Sequence, residues 1–146
     1  MNARFTQLYM HLVRAPWDRL PLMTSQIEPQ LYAAIAQKCR GLLRCLPVAI
    51  GGTADHVHVL AQIYPTVSVS TLVREMKGSS SHLVTHRINA GEFFKWQGTY
   101  GAFTLRTEDV PTLAGYIERQ KEHHAGGSVQ PLWEQAFAPD ADEAGG

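Results

Sequence analysis

The feature that most limits what this chain can fold into is Gly51-Gly52-Thr53-Ala54 followed by Asp55-His56-Val57-His58-Val59-Leu60. Valine-rich alternation after a glycine turn predicts a β-strand, and residues two apart on a strand leave the same face. His56 and His58 therefore project side by side, which suits a shared metal ion. Two histidines satisfied on a polar sheet surface would give the same pattern. The pair does not decide between these readings; residues some sixty positions downstream do.

The chain is the length of one domain and can bury a sizeable core. Apolar content of 45% with 18% charged residues is that of a globular protein. No apolar run approaches a membrane span, and Arg4-Phe5-Thr6-Gln7 interrupts any secretory pattern at the N-terminus. Cys39 and Cys45 are too few for a disulfide framework or a cysteine-based zinc site. The expected setting is the reduced cytoplasm, with no membrane partner.

Net charge is zero, but the charge is segregated. Residues 1–125 carry all 13 Lys and Arg against 9 acids, a net +4, whereas residues 126–146 hold Glu134, Asp140, Asp142, Glu143 and no base. A mildly basic body permits a nucleic-acid partner without requiring one. The expected division is a domain over 1–125 and an acidic tail over 126–146, its extreme end disordered because Gly, Pro, Ala and acids dominate.

Leu8 to Val13 reads as a first strand, followed by a loop from Arg14 to Leu22. Ser25-x-x-Glu28 has the form of a capping box. Ile27, Leu31, Ile35, Cys39, Leu42 and Leu46 then recur at helical spacing, predicting one long helix that Pro47 ends. Val48-Ala49-Ile50 opens a second strand, and the Gly51-Gly52 turn leads into the histidine strand as a hairpin. After Pro65, Ser68 or Ser70 caps a second helix whose buried side carries Leu72, Met76 and Leu83. Gly78-Ser79-Ser80-Ser81 in its middle costs ~2 kcal/mol in propensity, which implies either a kink or close approach to a phosphate or another backbone.

Phe93, Phe94, Trp96, Tyr100 and Phe103 concentrate the aromatics, with Lys95 between them. Such residues usually cap a core; their other use is stacking unpaired bases. Ala102 to Arg106 reads as a fourth strand, and Thr107 or Asp109 caps a last helix. The order β-α-β-β-α-β is the ferredoxin-like, α+β arrangement, shared with RNA-recognition modules, with an extra C-terminal helix. On that helix Val110, Leu113 and Ile117 form the apolar stripe, while Tyr116, Gln120 and His123 lie together along its border. Gly115 costs about 1 kcal/mol in a helix interior, which suggests flexibility or a close neighbour.

His56-Val57-His58 followed by Tyr116-x-x-x-Gln120 resembles the HUH single-tyrosine transposases of small insertion sequences, U being a hydrophobic residue. The resemblance extends to Asp55, to Lys77-Gly78-Ser79-Ser80-Ser81, to Trp96-Gln97-Gly98-Thr99-Tyr100-Gly101-Ala102-Phe103 and to Gln120-Lys121-Glu122-His123-His124, over roughly residues 8–125. It departs in the loop Arg14-Ala15-Pro16-Trp17-Asp18-Arg19, where relatives often place a Thr-Lys pair, and in the acidic tail, which has no counterpart. The resemblance implies cleavage and rejoining of single-stranded DNA near hairpins, with Tyr116 forming a 5′-phosphotyrosine. It implies magnesium or manganese on His56, His58 and Gln120, although ligand softness alone equally allows zinc. A homodimer sharing its active sites between chains is implied as well.

DNA contacts are expected from Arg14, Arg19, Lys77, Ser79, Ser80, Lys95, Trp96 and Tyr100. Asp55, His123 and His124 are candidates for supporting the metal ligands. Three readings compete: a domesticated transposase of the type associated with repeated palindromic sequences, a non-catalytic nucleic-acid-binding module, and a zinc hydrolase using His56, His58 and His123 or His124.

Overall fold

The structure is a computed structural model describing residues 5–41, 43–88 and 93–134. Four strands, β1 (Tyr9–Arg14), β2 (Leu46–Thr53), β3 (His56–Gln62) and β4 (Gly101–Leu105), form one antiparallel sheet in the order β2-β3-β1-β4. Helix α1 (Glu28–Arg40) links β1 to β2, and α2 (Val69–Leu83) links β3 to β4. This is the ferredoxin-like α+β arrangement expected from the element order. Two further helices follow, α3 (Val110–Glu118) and α4 (Gln120–Gly126).

The two-residue period of β3 sorts the molecule into layers. Val57, Val59 and Ala61 face one side and join Leu12, Leu31, Ile35, Cys39, Leu72, Val73 and Met76 in the main core under α1 and α2. Leu60 faces the other side and packs with Ala49, Leu113, Tyr116 and Ile117 under α3. His56 and His58 share that second side, so the helix beyond the basic motif covers the histidines.

Several local expectations differ from what forms. Helix α1 ends at Arg40 instead of running to Leu46, which opens β2 and is 52% exposed. Leu43 and Cys45 are the buried residues of that connection, while Leu42 lies outside the described residues. The capping box does not close: Thr24, not Ser25, supplies the oxygens that the Ile27 and Glu28 amides reach. Ser68 caps α2 as expected, accepting from the Thr71 amide at 3.1 Å. The serine run neither kinks α2 nor admits a backbone, since a Cβ on Gly78 would meet nothing within 4 Å. Ser79, Ser80 and Ser81 donate to carbonyls three and four residues back, which satisfies their hydroxyls within a helix that runs on to a π-helical turn over Val84–Ile88.

The glycines of the hairpin have a different purpose from a turn. Gly51 and Gly52 lie inside β2, and the reversal falls at Ala54-Asp55. A Cβ on Gly51 would sit 2.1 Å from the Ile117 carbonyl oxygen, so the missing side chain lets α3 rest directly on the strand. The last helix is also broken. Arg119, at φ −109 and ψ 30, separates α3 from α4. Gly115 is not the hinge: a Cβ there would meet only the tip of the Arg119 side chain, at 3.3 Å.

These two glycines should respond oppositely. Gly51→Ala is expected to lift α3 and destabilise the fold by about 1–3 kcal/mol. Gly115→Ala should be neutral or stabilising by up to about 1 kcal/mol. Chemical denaturation of both variants measures the contrast, and equal effects would remove the role assigned to the Gly51 contact.

Candidate active site

The site lies between β3 and the α3–α4 pair. His56 and His58 are 1% and 0% exposed, Gln120 is 1% and Tyr116 is 3%. Burying this many polar groups is costly unless each finds a partner, and the partners define the geometry. His56 Nδ1 lies 2.8 Å from Asp55 Oδ1, which also accepts from Thr53 Oγ1 at 3.0 Å. An N–H at Nδ1 directed to the carboxylate leaves Nε2 as the free nitrogen. That Nε2 is 3.0 Å from Gln120 Oε1, an acceptor facing an acceptor. A proton or a cation between them reconciles the pair, as would the amide turned to present its NH2.

His58 is fixed from its other end. Its Nδ1 lies 2.9 Å from Nε2 of His11, a β1 residue buried at 1% exposure with its ring stacked on His58. Burial and the neighbouring His58 push His11 down to about 3, so it is a neutral imidazole at physiological pH. His58 Nε2 is buried and makes no hydrogen bond of acceptable geometry. It is nevertheless 3.0 Å from Glu134 Oε2, close in distance but not aligned. A buried imidazole nitrogen with a carboxylate oxygen beside it but no aligned hydrogen bond has its lone pair available to a metal ion.

Glu134 enters from the end of the described chain. Residues 126–134, read from sequence as the start of an acidic tail, lie across the site; residues 135–146 are outside the described residues. Ser128 binds His123 through its amide to the carbonyl at 2.9 Å and its hydroxyl to Nδ1 at 2.8 Å. Trp133 meets the Tyr116 ring edge-on at 4.9 Å, and the Gln130 amide donates to the Tyr116 hydroxyl at 3.0 Å. Glu134 Oε1 then lies 3.1 Å from His56 Nε2 and 2.8 Å from His124 Nε2, while Oε2 accepts from the Tyr116 hydroxyl at 2.7 Å.

The sequence-predicted residues thus separate into two groups. His56, His58, Tyr116 and Gln120 converge, with Asp55, His123 and His124 around them; His123 stacks on Tyr116 at 4.5 Å, and His124 Nε2 lies 3.1 Å from Gln120 Oε1. The expected DNA contacts lie elsewhere. Arg14 sits over Trp96 and Tyr100 at 5.9 and 5.7 Å and donates to the Gln97 carbonyl at 2.8 Å, facing the α1–α2 side. Trp96 and Ser80 are buried and bonded to each other, indole N–H to hydroxyl, at 2.9 Å, so both belong to the core. Ser79 is spent on the Met76 carbonyl. Lys77, Lys95 and Arg19 are exposed; Lys95 lies over Trp17, and Arg19 reaches Asp55 at 3.5 Å.

Sequence reasoning missed two residues. His11 lies inside an apolar run that predicts only a strand. Glu134 shares the composition of the acidic tail, and Leu132-Trp133 before it is the one signal that sets it apart.

Fold and cluster together define a ferredoxin-like domain that sets a helix-borne tyrosine over a buried histidine pair. The chain belongs to the family described as Transposase IS200 like, which it matches over residues 4–120. Two solved structures share its fold. A putative transposase from Deinococcus radiodurans R1 is 20% identical, with 82% of this chain and 95% of that chain covered and a TM-score of 0.59. A REP-associated tyrosine transposase bound to a REP hairpin is 19% identical, with 88% and 74% covered and a TM-score of 0.61. No curated protein matches the chain. Among the described residues, no helix is long and apolar enough to cross a membrane.

Charge in the site predicts how the metal-free protein responds to pH. Burial pushes His56 down, but its bonds to Glu134, Asp55 and Gln120 outweigh burial and raise it above 6.5. Burial pushes Glu134 up, yet His56, His58 and Tyr116 hold it well below its usual 4.5. The His56 contribution to docking is full below pH 6.5 and is lost as pH rises through its raised value; the Glu134 contribution is full above pH 4.5 and is lost as pH falls. Segment docking, read from Trp133 fluorescence against a Trp133→Phe reference in chelator, should therefore be strongest between these two pH values. A signal unchanged on both sides of that window would contradict the assignment.

Proposed function

We propose that this chain cleaves and rejoins single-stranded DNA by transesterification through Tyr116. The observation that carries the reading is the convergence of Tyr116, His56, His58 and Gln120 in one buried cluster, from elements more than fifty residues apart in sequence. The Tyr116 oxygen bonds to the scissile phosphorus, the bond from phosphorus to the 3′ oxygen breaks, and the phenolic proton is balanced by the new 3′-OH. A phosphodiester is exchanged for an aryl phosphodiester, so the energy needed for rejoining is kept; a hydrolase would discard it. Rejoining is the reverse attack by a 3′-OH.

Tyr116 is held for this role by His123 on its ring face and Trp133 at its edge. Burial, with the Glu134 carboxylate, raises its pKa above the ordinary phenol, so it rests protonated at neutral pH and needs activation. The residues fit a divalent cation: the orphaned His58 Nε2, the His56 Nε2 facing an amide oxygen, and Gln120 Oε1 form a mixed nitrogen and oxygen donor set. Magnesium or manganese held there would supply Lewis-acid stabilisation of the phosphate charge. Asp55 and His11 orient the two imidazoles from behind.

Single-stranded DNA with hairpins is the proposed substrate. The hairpin bound to the REP-associated relative supports this class of target, and a REP-type host function for this chain is a narrower version of the same reading. Exposed Arg19, Lys77 and Lys95 are the cations placed to meet phosphates. Arg14 serves more as the pin holding Tyr100 and Gln97 than as a free contact. The resemblance carries a homodimer with exchanged tyrosine helices; the geometry supports a site complete within one chain, because Tyr116 and His58 meet the same carboxylate.

Incubation with manganese and 3′-labelled single-stranded DNA bearing a hairpin should give a covalent protein–DNA adduct on a denaturing gel. Tyr116→Phe should abolish it, and His56→Ala should leave none above background. Cutting that survives Tyr116→Phe would overturn the tyrosine mechanism in favour of metal-dependent hydrolysis. Binding without adduct in every metal would favour a binding module.

Mixing the two variants tests the site's assembly. No adduct is expected from Tyr116→Phe with His56→Ala if each chain is complete. Restored adduct would show that the tyrosine helix is exchanged between two copies.

A further inference from the structure

The proposed metal set of two imidazoles and one neutral amide leaves Glu134 unexplained, although it is the residue that touches most of the site. Its two oxygens lie 3.1 Å from His56 Nε2 and 3.0 Å from His58 Nε2. Among the described residues, His56, His124 and Glu134 each bring a ligand atom within 4.8 Å of the others; His58 is outside that group and joins through its 3.0 Å approach to the second Glu134 oxygen. The segment carrying it is fastened at three points, Ser128 to His123, Gln130 to Tyr116 and Trp133 to Tyr116. A side chain delivered this deliberately into a buried histidine pair has a use there.

We propose that Glu134 is itself a ligand of the divalent cation, completing a site with His56, His58 and Gln120 and making the C-terminal segment part of the metal centre. The inference rests on the metal-assisted reading above and goes beyond it. Two features point to ligation over a simple ion pair, and the spacing is compatible with it. Octahedral magnesium or manganese holds its ligands near 2.1 Å, so neighbouring ligand atoms stand about 3.0 Å apart, a spacing hydrogen bonds share. The His56–Gln120, His56–Glu134 and His58–Glu134 separations are 3.0, 3.1 and 3.0 Å.

First, the His58–Glu134 approach is short but misaligned for a hydrogen bond, which an ion pair through an N–H would not be. Two ligands of one ion need not point at each other, only at the ion. Second, the chemistry of the set improves. Two imidazoles and an amide carry no charge, whereas a carboxylate is the hard anionic oxygen that magnesium and manganese favour. His124, bridging Gln120 Oε1 and Glu134 Oε1 at 3.1 and 2.8 Å, is then a positioning residue for both oxygen ligands.

The opposite role is also concrete. Glu134 could stand where the ion belongs, so that manganese must expel it. The two roles predict opposite signs, which one titration separates. Manganese chloride is titrated calorimetrically into the metal-free full chain and into Glu134→Ala, Glu134→Gln and His56→Ala, with circular dichroism confirming each fold. Ligation predicts that Glu134→Ala and Glu134→Gln weaken manganese binding by about tenfold or more, that His56→Ala abolishes it, and that manganese protects the segment around Trp133 from proteolysis. Unchanged or tighter binding in Glu134→Ala, with manganese exposing the segment, would overturn the proposal and leave the carboxylate as an occupant of the ion's place. No manganese binding by the wild type would overturn it too. The adduct assay with Tyr116→Phe is independent of this titration, so loss of the Glu134 assignment leaves the transesterification reading standing.

Discussion

The contact on which the site depends is backbone against backbone. Gly51 in β2 is paired with His58 in β3, and on the same face the Ile117 carbonyl of α3 sits where a Cβ of Gly51 would be. No side chain intervenes, so the height of α3 above the sheet is set by main-chain atoms and cannot be adjusted by a rotamer change. Leu113 and Ile117 then seal the approach against Ala49 and Leu60. Tyr116, one residue from that contact, and Gln120, one turn on, inherit the same height. The distances from His56 to Tyr116 and Gln120 therefore follow from a glycine more than sixty residues before either of them in the chain.

The second constraint is electrostatic. Burying four polar side chains at 3% exposure or less costs several kcal/mol each without partners. Here the partners are arranged in two tiers. Asp55 and His11 take the inner nitrogens of His56 and His58, which turns both outer nitrogens toward the same volume. That volume is bounded by oxygens of Gln120 and Glu134, and neighbouring acceptors repel unless positive charge stands among them. In the metal-free molecule the raised pKa of His56 supplies that charge as a proton. The same donors are those that the proposed cation would use.

The fold was legible because it is written in short-range patterns. Alternation in β3, the apolar stripe of α1 and the Ser68 cap are local, and the order of elements leaves few topologies. The convergence of His56, His58, Tyr116 and Gln120 was legible too, the pairs from strand and helix periodicity and their union from the resemblance. What the sequence withheld depends on contacts across the chain. Gly51 and Gly52 look like a turn, because the need for a missing Cβ comes from the Ile117 carbonyl at Gly51 and from the His56 carbonyl across the hairpin at Gly52. Leu46 matches the helical stripe of α1, yet it begins an edge strand. The break at Arg119 has no proline or glycine to mark it. Glu134 sits among residues whose composition reads as tail, and only Trp133 beside it hints that the segment has a face to bury.

The segregation of charge gains a physical reading from this arrangement. A basic body favours phosphates, and under the proposed reading the site holds a cation and leaves room for a phosphate. An acidic residue on a segment docked by a few hydrogen bonds and one aromatic contact can be brought in or released far more cheaply than one fixed in a strand. Its carboxylate accepts from the Tyr116 hydroxyl, so whatever moves Glu134 also frees or restrains that hydroxyl. Histidine pair, tyrosine and C-terminal segment are therefore coupled through a single side chain, whose carboxylate meets His58 and Tyr116 at once.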